Sequence, residues 1–330
     1  MNFSKMLFLS IIFLSALITL SAENWIGMWM GLEINLMAFI PFISMNKNKK
    51  ASQASMIYFM TQSMGSAILL FSILMSINTM LSNTLMSQYF EILMTVSLLI
   101  KMGGAPFHFW LPEMMANLDW SKCLILVTWQ KVAPLSIMSM ININWMMYLT
   151  ILMSAIVGAI GGMNQTSIRK IMAYSSINHL SWMMAWMSIK NNWYLYLAIY
   201  SLMMMMMYFI LNNNIYFINQ LNELNDSTLG KITLSCTLLS LGGMPPFIGF
   251  LPKWILIQSM INSNMFLIMI IMVMMSLVML FYYMRMITPL LMWYSINYKW
   301  SMSMKIKDSV LYLIIFINMM LPLSSIYPLF

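Results

Sequence analysis

At 330 residues, 62% hydrophobic and only 7% charged, with a mean hydropathy of +0.82, the chain is far too apolar for a water-soluble globule, since such domains carry about 25% charged residues. Its net charge of +8 comes without a basic groove or aromatic platform, which excludes a nucleic-acid partner. Two distant cysteines, Cys123 and Cys236, cannot supply an iron–sulfur or zinc set, and there is no Gly-x-Gly-x-x-Gly fingerprint or phosphate loop. The expectation is an all-α polytopic membrane protein, one membrane-embedded domain over residues 1–330, with no redox cofactor or metal on this chain.

A spanning helix needs about 20 apolar residues, and the short loops leave room for about 11 transmembrane helices. The first span covers about Asn2–Leu20; its lysine-led apolar run also resembles a signal peptide, but further spans follow at once, which favours a retained helix. The second, Trp25–Met45, contains Glu33, and Lys47, Lys49 and Lys50 form the loop before the third, Met56–Leu81. The fourth runs Gln88–Ala116; unbroken, it would be about 44 Å long against a hydrocarbon core of about 30 Å. The fifth, Lys122–Ile143, holds Lys131 in Thr128-Trp129-Gln130-Lys131-Val132-Ala133-Pro134. The sixth to eighth are Trp145–Met163, Ile171–Ile189 with His179, and Trp193–Leu211, whose run Met203–Met207 reads as lipid-facing filler, not a copper site. A polar interval, Asn212–Lys231, precedes the ninth, Ile232–Ile261, again too long for one helix. The tenth is Met265–Ile287, and a basic loop with Arg285, Lys299, Lys305 and Lys307 leads to the eleventh, Ser309–Phe330.

This segmentation sorts the charges. Lys5, Lys47, Lys49, Lys50, Lys122, Arg169, Lys170, Lys231, Arg285, Lys299, Lys305 and Lys307 fall on the N-terminal side and Lys190 alone on the other. That is the positive-inside pattern and puts the N-terminus on the cytoplasm-like side. Lys101, Lys131 and Lys253 are left inside the membrane, where an ionisable residue is costly and reads as functional.

Two of these lysines sit beside interruptions. In Lys101-Met102-Gly103-Gly104-Ala105-Pro106-Phe107-His108-Phe109-Trp110-Leu111-Pro112-Glu113 the glycines and proline break the fourth span. Broken backbone at membrane depth survives only where it is buried in protein or lines a wet cavity. At an offset of 140, Gly103, Pro106, Phe107, Leu111 and Pro112 recur as Gly243, Pro246, Phe247, Leu251 and Pro252, and Pro245 adds a second proline to that break. Spans of opposite parity carrying one motif are the signature of two inverted five-helix repeats, each with a broken helix, and of an ion or substrate path near the midplane. His108 stands at the first break, placed either to bridge protons or to satisfy exposed carbonyls. His179 reads as a polar helix contact, Glu113 and Asp119 as solvated, and Glu91 as interfacial.

The motifs around Glu33 (Gly31-Leu32-Glu33-Ile34-Asn35), Lys101–Glu113, Lys131 (Trp129-Gln130-Lys131) and Lys253 (Leu251-Pro252-Lys253-Trp254) resemble, over essentially the full length, the chain 2 family of NADH-ubiquinone oxidoreductase. These are antiporter-like membrane-arm subunits of mitochondrial respiratory complex I. The resemblance implies proton translocation in the mitochondrial inner membrane, with the N-terminus in the matrix. It implies that NAD, FMN, iron–sulfur clusters and ubiquinone belong to partner subunits, that the partners include adjacent antiporter-like chains, and that phospholipids such as cardiolipin surround it. It assigns Glu33 and Lys101 to a carboxylate–lysine pair, Lys131 to the central lysine and Lys253 to the terminal one. One departure is that no acidic residue in the sixth to eighth spans mirrors Glu33. A stand-alone cation/proton antiporter and a purely structural membrane-arm subunit are the competing expectations.

Overall fold

The computed structural model describes residues 3–45, 48–79, 84–142, 144–189, 192–211, 216–223, 228–291 and 308–321. Among these it is all-helical apart from turns and one isolated bridge between Ser167 and Phe217. The helices are α1 Phe3–Ser21, α2 Trp25–Ser44, α3 Lys49–Thr79, α4 Thr84–Met102, α5 Trp110–Asn117, α6 Trp120–Val127, α7 Val132–Met138, α8 Trp145–Met163, α9 Ile168–Ile189, α10 Trp193–Leu211, α11 Thr228–Gly242, α12 Phe250–Asn262, α13 Phe266–Leu291 and α14 Asp308–Asn318. Six of them (α1, α2, α3, α8, α10 and α13) are long and apolar enough to cross a membrane. Their outward faces carry large apolar side chains, such as Leu14 and Leu17 of α1 and Leu267 and Ile270 of α13. That is the pattern of helices with hydrocarbon rather than water around them. The many serines and threonines in these helices hydrogen-bond back to their own turn, as Ser15 Oγ does to Ile12 O (2.9 Å) and Ser97 Oγ to Met94 O (2.7 Å). Their hydroxyls therefore need no water to be satisfied.

The chain forms two compact units, Met1–Ser154 and Ala155–Phe330, divided within α8. In the first, α1, α2, α3 and α4 pack in sequence order, α5 returns against α3, and α7 lies against α1, α2 and α4. In the second, α11 packs against α10, α13 and α14, while α12 lies against α9, α10 and α13.

Both expected breaks are present, and they are built alike. α4 ends at Met102 and α11 at Gly242; Gly103 (φ 72°) and Gly243 (φ 81°) follow in the left-handed conformation. The next amide in each case reaches back five residues, Gly104 N to Leu99 O (3.0 Å) and Met244 N to Leu239 O (3.2 Å). That is a Schellman ending, which glycine at this position permits. The helices resume at Trp110 and Phe250. In the first break Pro106 follows a cis peptide bond.

Several expectations are corrected. Lys49 and Lys50 start α3 instead of lying in a loop, and Lys47 lies outside the described residues. Arg285 is inside α13, its guanidinium donating to the carbonyls of Met163 and Gln165 at the end of α8. Lys122, expected at the membrane edge where the fifth span begins, is buried; it donates to Ile43 O in the last turn of α2 (2.9 Å) while pairing with Asp119 (3.4 Å). In the methionine run only Met205 faces outward; Met203, Met204, Met206 and Met207 are buried, and Met207 Sδ accepts from Thr237 Oγ1 (3.0 Å). α10 is therefore packed on protein over most of its girth at this level. Lys190, Lys299, Lys305 and Lys307 lie outside the described residues.

Candidate functional site

The first unit gathers its polar side chains around Lys101 and Lys131. Lys101 sits in the last turn of α4 and is 6% exposed, with no protein hydrogen-bond partner for its Nζ. A cation is electrostatically suited to a helix C-terminus, and α3 makes room for it at Gly65, where a Cβ would come within 3.0 Å of Lys101 Cγ. The carbonyls released by the break are covered: Lys101 O accepts from Gln62 Nε2 (3.1 Å) and Ile100 O from Trp110 Nε1 (3.1 Å). The indole and amide thus do what water would otherwise have to do.

Lys131 is 2% exposed, and the fifth span is interrupted there. α6 stops at Val127, residues Trp129–Lys131 form a 3-10 turn, and α7 begins at Val132. Pro134 is the physical reason. It has no amide to give Gln130 O, so the α-helical register cannot run through this turn. Mid-helix 3-10 geometry commonly marks a hinge or a site under constraint. The turn is tied down from two sides, Trp129 Nε1 to Ile12 O of α1 (3.2 Å) and Gln130 to Asn35 of α2. The Gln130–Asn35 pair is reciprocal: Asn35 Nδ2 donates to Gln130 Oε1 (2.8 Å), Gln130 Nε2 donates to Asn35 Oδ1 (3.0 Å), and Tyr58 Oη adds a longer contact to Gln130 Oε1 (3.4 Å).

Between the two lysines lies a chamber of about 20 Å³, whose polar lining is Asn35, Tyr58, Gln62, Lys101, Gln130 and Lys131. That is room for one water molecule, and the lining offers the several polar partners a buried water requires.

Glu33 does not line this chamber. Its Oε1 is buried without a protein hydrogen-bond partner and its charge acts on Lys101, but no ion pair within 4.0 Å joins them. His108 lies off the chamber too, with Nδ1 3.1 Å from Pro106 O and its ring 4.2 Å from that of Phe109. Glu91 accepts from Asn142 Nδ2 (2.8 Å) and Asn144 Nδ2 (3.3 Å).

In the second unit Lys253 is 4% exposed on α12. Its Nζ donates to Gly242 O, the final carbonyl of α11 (2.8 Å), and stands 5.7 Å from the Trp182 ring centroid. A helix C-terminus and an aromatic face both favour a cation, and among the described residues these two features, not a carboxylate ion pair, face Lys253 Nζ. The second unit also holds a buried cluster in which His179 Nδ1 meets Tyr196 Oη (2.8 Å), with the Tyr200 ring 4.6 Å from the imidazole ring. Sequence inspection did not single out Tyr58, Gln62 or Trp182. Asn35 and Gln130 stood inside quoted motifs without a role, and the one available signal was that each is an amide two or fewer residues from a buried charge.

The family model for the transmembrane segment of NADH:quinone oxidoreductases and Mrp antiporters matches residues 22–279. NADH-ubiquinone oxidoreductase chain 2 of Anopheles gambiae is 44% identical over 287 residues, covering 86% of this chain and 84% of that relative. The chain 2 proteins of Locusta migratoria (41%, 94% and 92%) and Bos taurus (37%, 95% and 94%) are similar over nearly full length. A chain of respiratory complex I from Thermus thermophilus shares the fold, with a TM-score of 0.88 at 19% identity over 98% of this chain and 79% of that one. A chain of the Mrp complex from Dietzia does so at 0.74 and 14%, over 89% and 61%. With residues 22–279 matched and relatives 37–44% identical along most of its length, the chain belongs to the NADH-ubiquinone oxidoreductase chain 2 family, within the NADH:quinone oxidoreductase/Mrp antiporter group.

Proposed function

We infer that this chain is a proton-translocating membrane subunit of respiratory complex I. The carrying observation is that two lysines, each on an interrupted helix, open onto one buried polar chamber. A lysine taken out of water holds its proton only with help from its surroundings, so small changes in those surroundings can load or empty it. Glu33 and Lys101 form the switch: the carboxylate acts on the lysine from beyond ion-pair distance, so neutralising or moving it changes the hold on the Lys101 proton. Lys131 receives it across the chamber, and Lys253 acts as the later carrier. His108 has a helping place beside the first break.

The chain contributes no redox chemistry of its own in this reading. NAD, FMN, iron–sulfur clusters and ubiquinone belong to partner subunits, which supply the energy, and neighbouring antiporter-like chains and phospholipids such as cardiolipin surround it. The same reading has eleven spans in two inverted repeats, supported by the matching construction of the breaks at Gly103 and Gly243. It puts the N-terminus on the matrix side of the mitochondrial inner membrane. Lys131→Met in the assembled complex tests the core of it. Protons pumped per electron should fall, and an unchanged ratio would remove Lys131 from the path.

A further inference from the structure

We propose that the Asn35–Gln130 amide pair is a clamp that positions Lys131 for proton transfer and links it mechanically to the helix bearing Glu33; this rests on the proton-carrying reading of Lys101 and Lys131. Three observations meet here. The two amides satisfy each other with a pair of short hydrogen bonds although 95 residues separate them. The residue they hold is adjacent to Lys131 in a 3-10 turn that Pro134 prevents from closing into continuous helix. And both amides line the chamber that Lys101 and Lys131 share.

A polar pair inside a hydrocarbon-embedded unit is costly unless fully matched, and an isolated 3-10 turn is a soft element. Joining the two gives the soft turn one defined orientation. The transfer being served is a net movement of one proton. An N–H bond of the Lys101 ammonium breaks, an N–H bond forms on the neutral Lys131 amine, and the positive charge moves with it. A water between them accepts one proton as it gives up another, so it is unchanged at the end. Such a relay is sensitive to placement on the scale of an ångström. Because Asn35 is two residues from Glu33 on α2, a shift of α2 that accompanies a change at Glu33 pulls on Gln130 and hence on Lys131. Glu33 itself does not line the chamber, and the clamp supplies the connection that a direct contact does not.

The test uses assembled complex in sealed vesicles, reading turnover, protons pumped per electron and the solvent isotope effect. Gln130→Met and Asn35→Leu keep approximate volume and remove the pair from either side. Each is expected to slow turnover about tenfold, well inside the range that misplacement of reacting groups produces, and to raise the isotope effect as proton transfer becomes limiting. The double variant should be no slower than either single one, since both remove one interaction. The exchange Asn35→Gln with Gln130→Asn, which keeps two amides and their combined length, should recover turnover to within about threefold of the unsubstituted complex. Wild-type turnover, pumping and isotope effect in an assembled single variant would overturn the clamp, as would additive losses with no recovery in the exchange. Should Gln130→Met fail to assemble, Asn35→Leu alone carries the comparison. Lys131→Met run in parallel separates the two levels. If it abolishes pumping while the amide variants keep wild-type turnover and isotope effect, only the clamp falls; if it too pumps normally, the underlying reading falls with it.

Discussion

Gly242 and Gly243 stand side by side at the end of α11 and tolerate different things. A Cβ on Gly242 would meet its nearest neighbours at 3.6 Å, an ordinary contact. On Gly243 it would be forced into the left-handed region at φ 81° and would come within 2.7 Å of Lys253 Nζ. The left-handed conformation alone costs a non-glycine residue about 1–2 kcal/mol. Gly243→Ala is therefore expected to lower the thermal midpoint of the complex and its pumping together, by moving the ammonium off Gly242 O. Gly242→Ala should leave both within error, and equal effects from the two would show that the ammonium's seat does not depend on the turn. The contrast between Lys101 and Lys253 belongs to the same scale. One ammonium has a carboxylate acting on it from a distance, the other a backbone carbonyl and an indole face. A carboxylate can be neutralised by a proton, whereas a carbonyl can only be moved.

Among the elements, cations at helix ends recur: buried Lys122 donates to Ile43 O of α2, half-buried Arg285 to Met163 O of α8 and buried Lys253 to Gly242 O of α11. Their surroundings separate structural use from proton carriage. Lys122 has Asp119 as a fixed ion-pair partner and lies outside the chamber. Lys122→Met should cost about 1–3 kcal/mol through the unsatisfied Ile43 carbonyl, seen as a lower yield of assembled complex. Protons pumped per electron in what does assemble should not change; a drop would make Lys122 a carrier. Most of this was hidden in the sequence for a definite reason. Lys122 and Arg285 sit near the ends of apolar runs, where hydropathy reads a membrane edge and not the carbonyl each one meets. The span Lys122–Ile143 was bounded by apolar length alone, which does not register the interruption that Pro134 imposes in its middle. The methionine run misled for the same reason, since period and composition do not say which side of a helix meets protein.

On the scale of the whole chain, composition and spacing decided membership in the membrane class, and the helices stop and resume around the two Gly–Pro motifs, between Met102 and Trp110 and between Gly242 and Phe250. On the proposed reading the energy comes from partner subunits, so the chain should be inert without them. Purified and reconstituted alone in liposomes, it is expected to give no cation-driven proton flux above empty vesicles, measured with an entrapped pH dye. Flux at the rate of a dedicated exchanger would favour a stand-alone antiporter.

What the residues determined by themselves was local. Apolar length made helices, glycine and proline ended them, and the expense of charge in hydrocarbon marked Glu33, Lys101, Lys131 and Lys253. What only the packed structure decided was who meets whom: the amides of Asn35 and Gln130, Gln62 on the carbonyl of Lys101, Trp182 beside Lys253. Those partners are 39 to 95 residues apart in the first unit, and pairing over such distances is set by which helix faces pack together, a property no local pattern in the chain encodes.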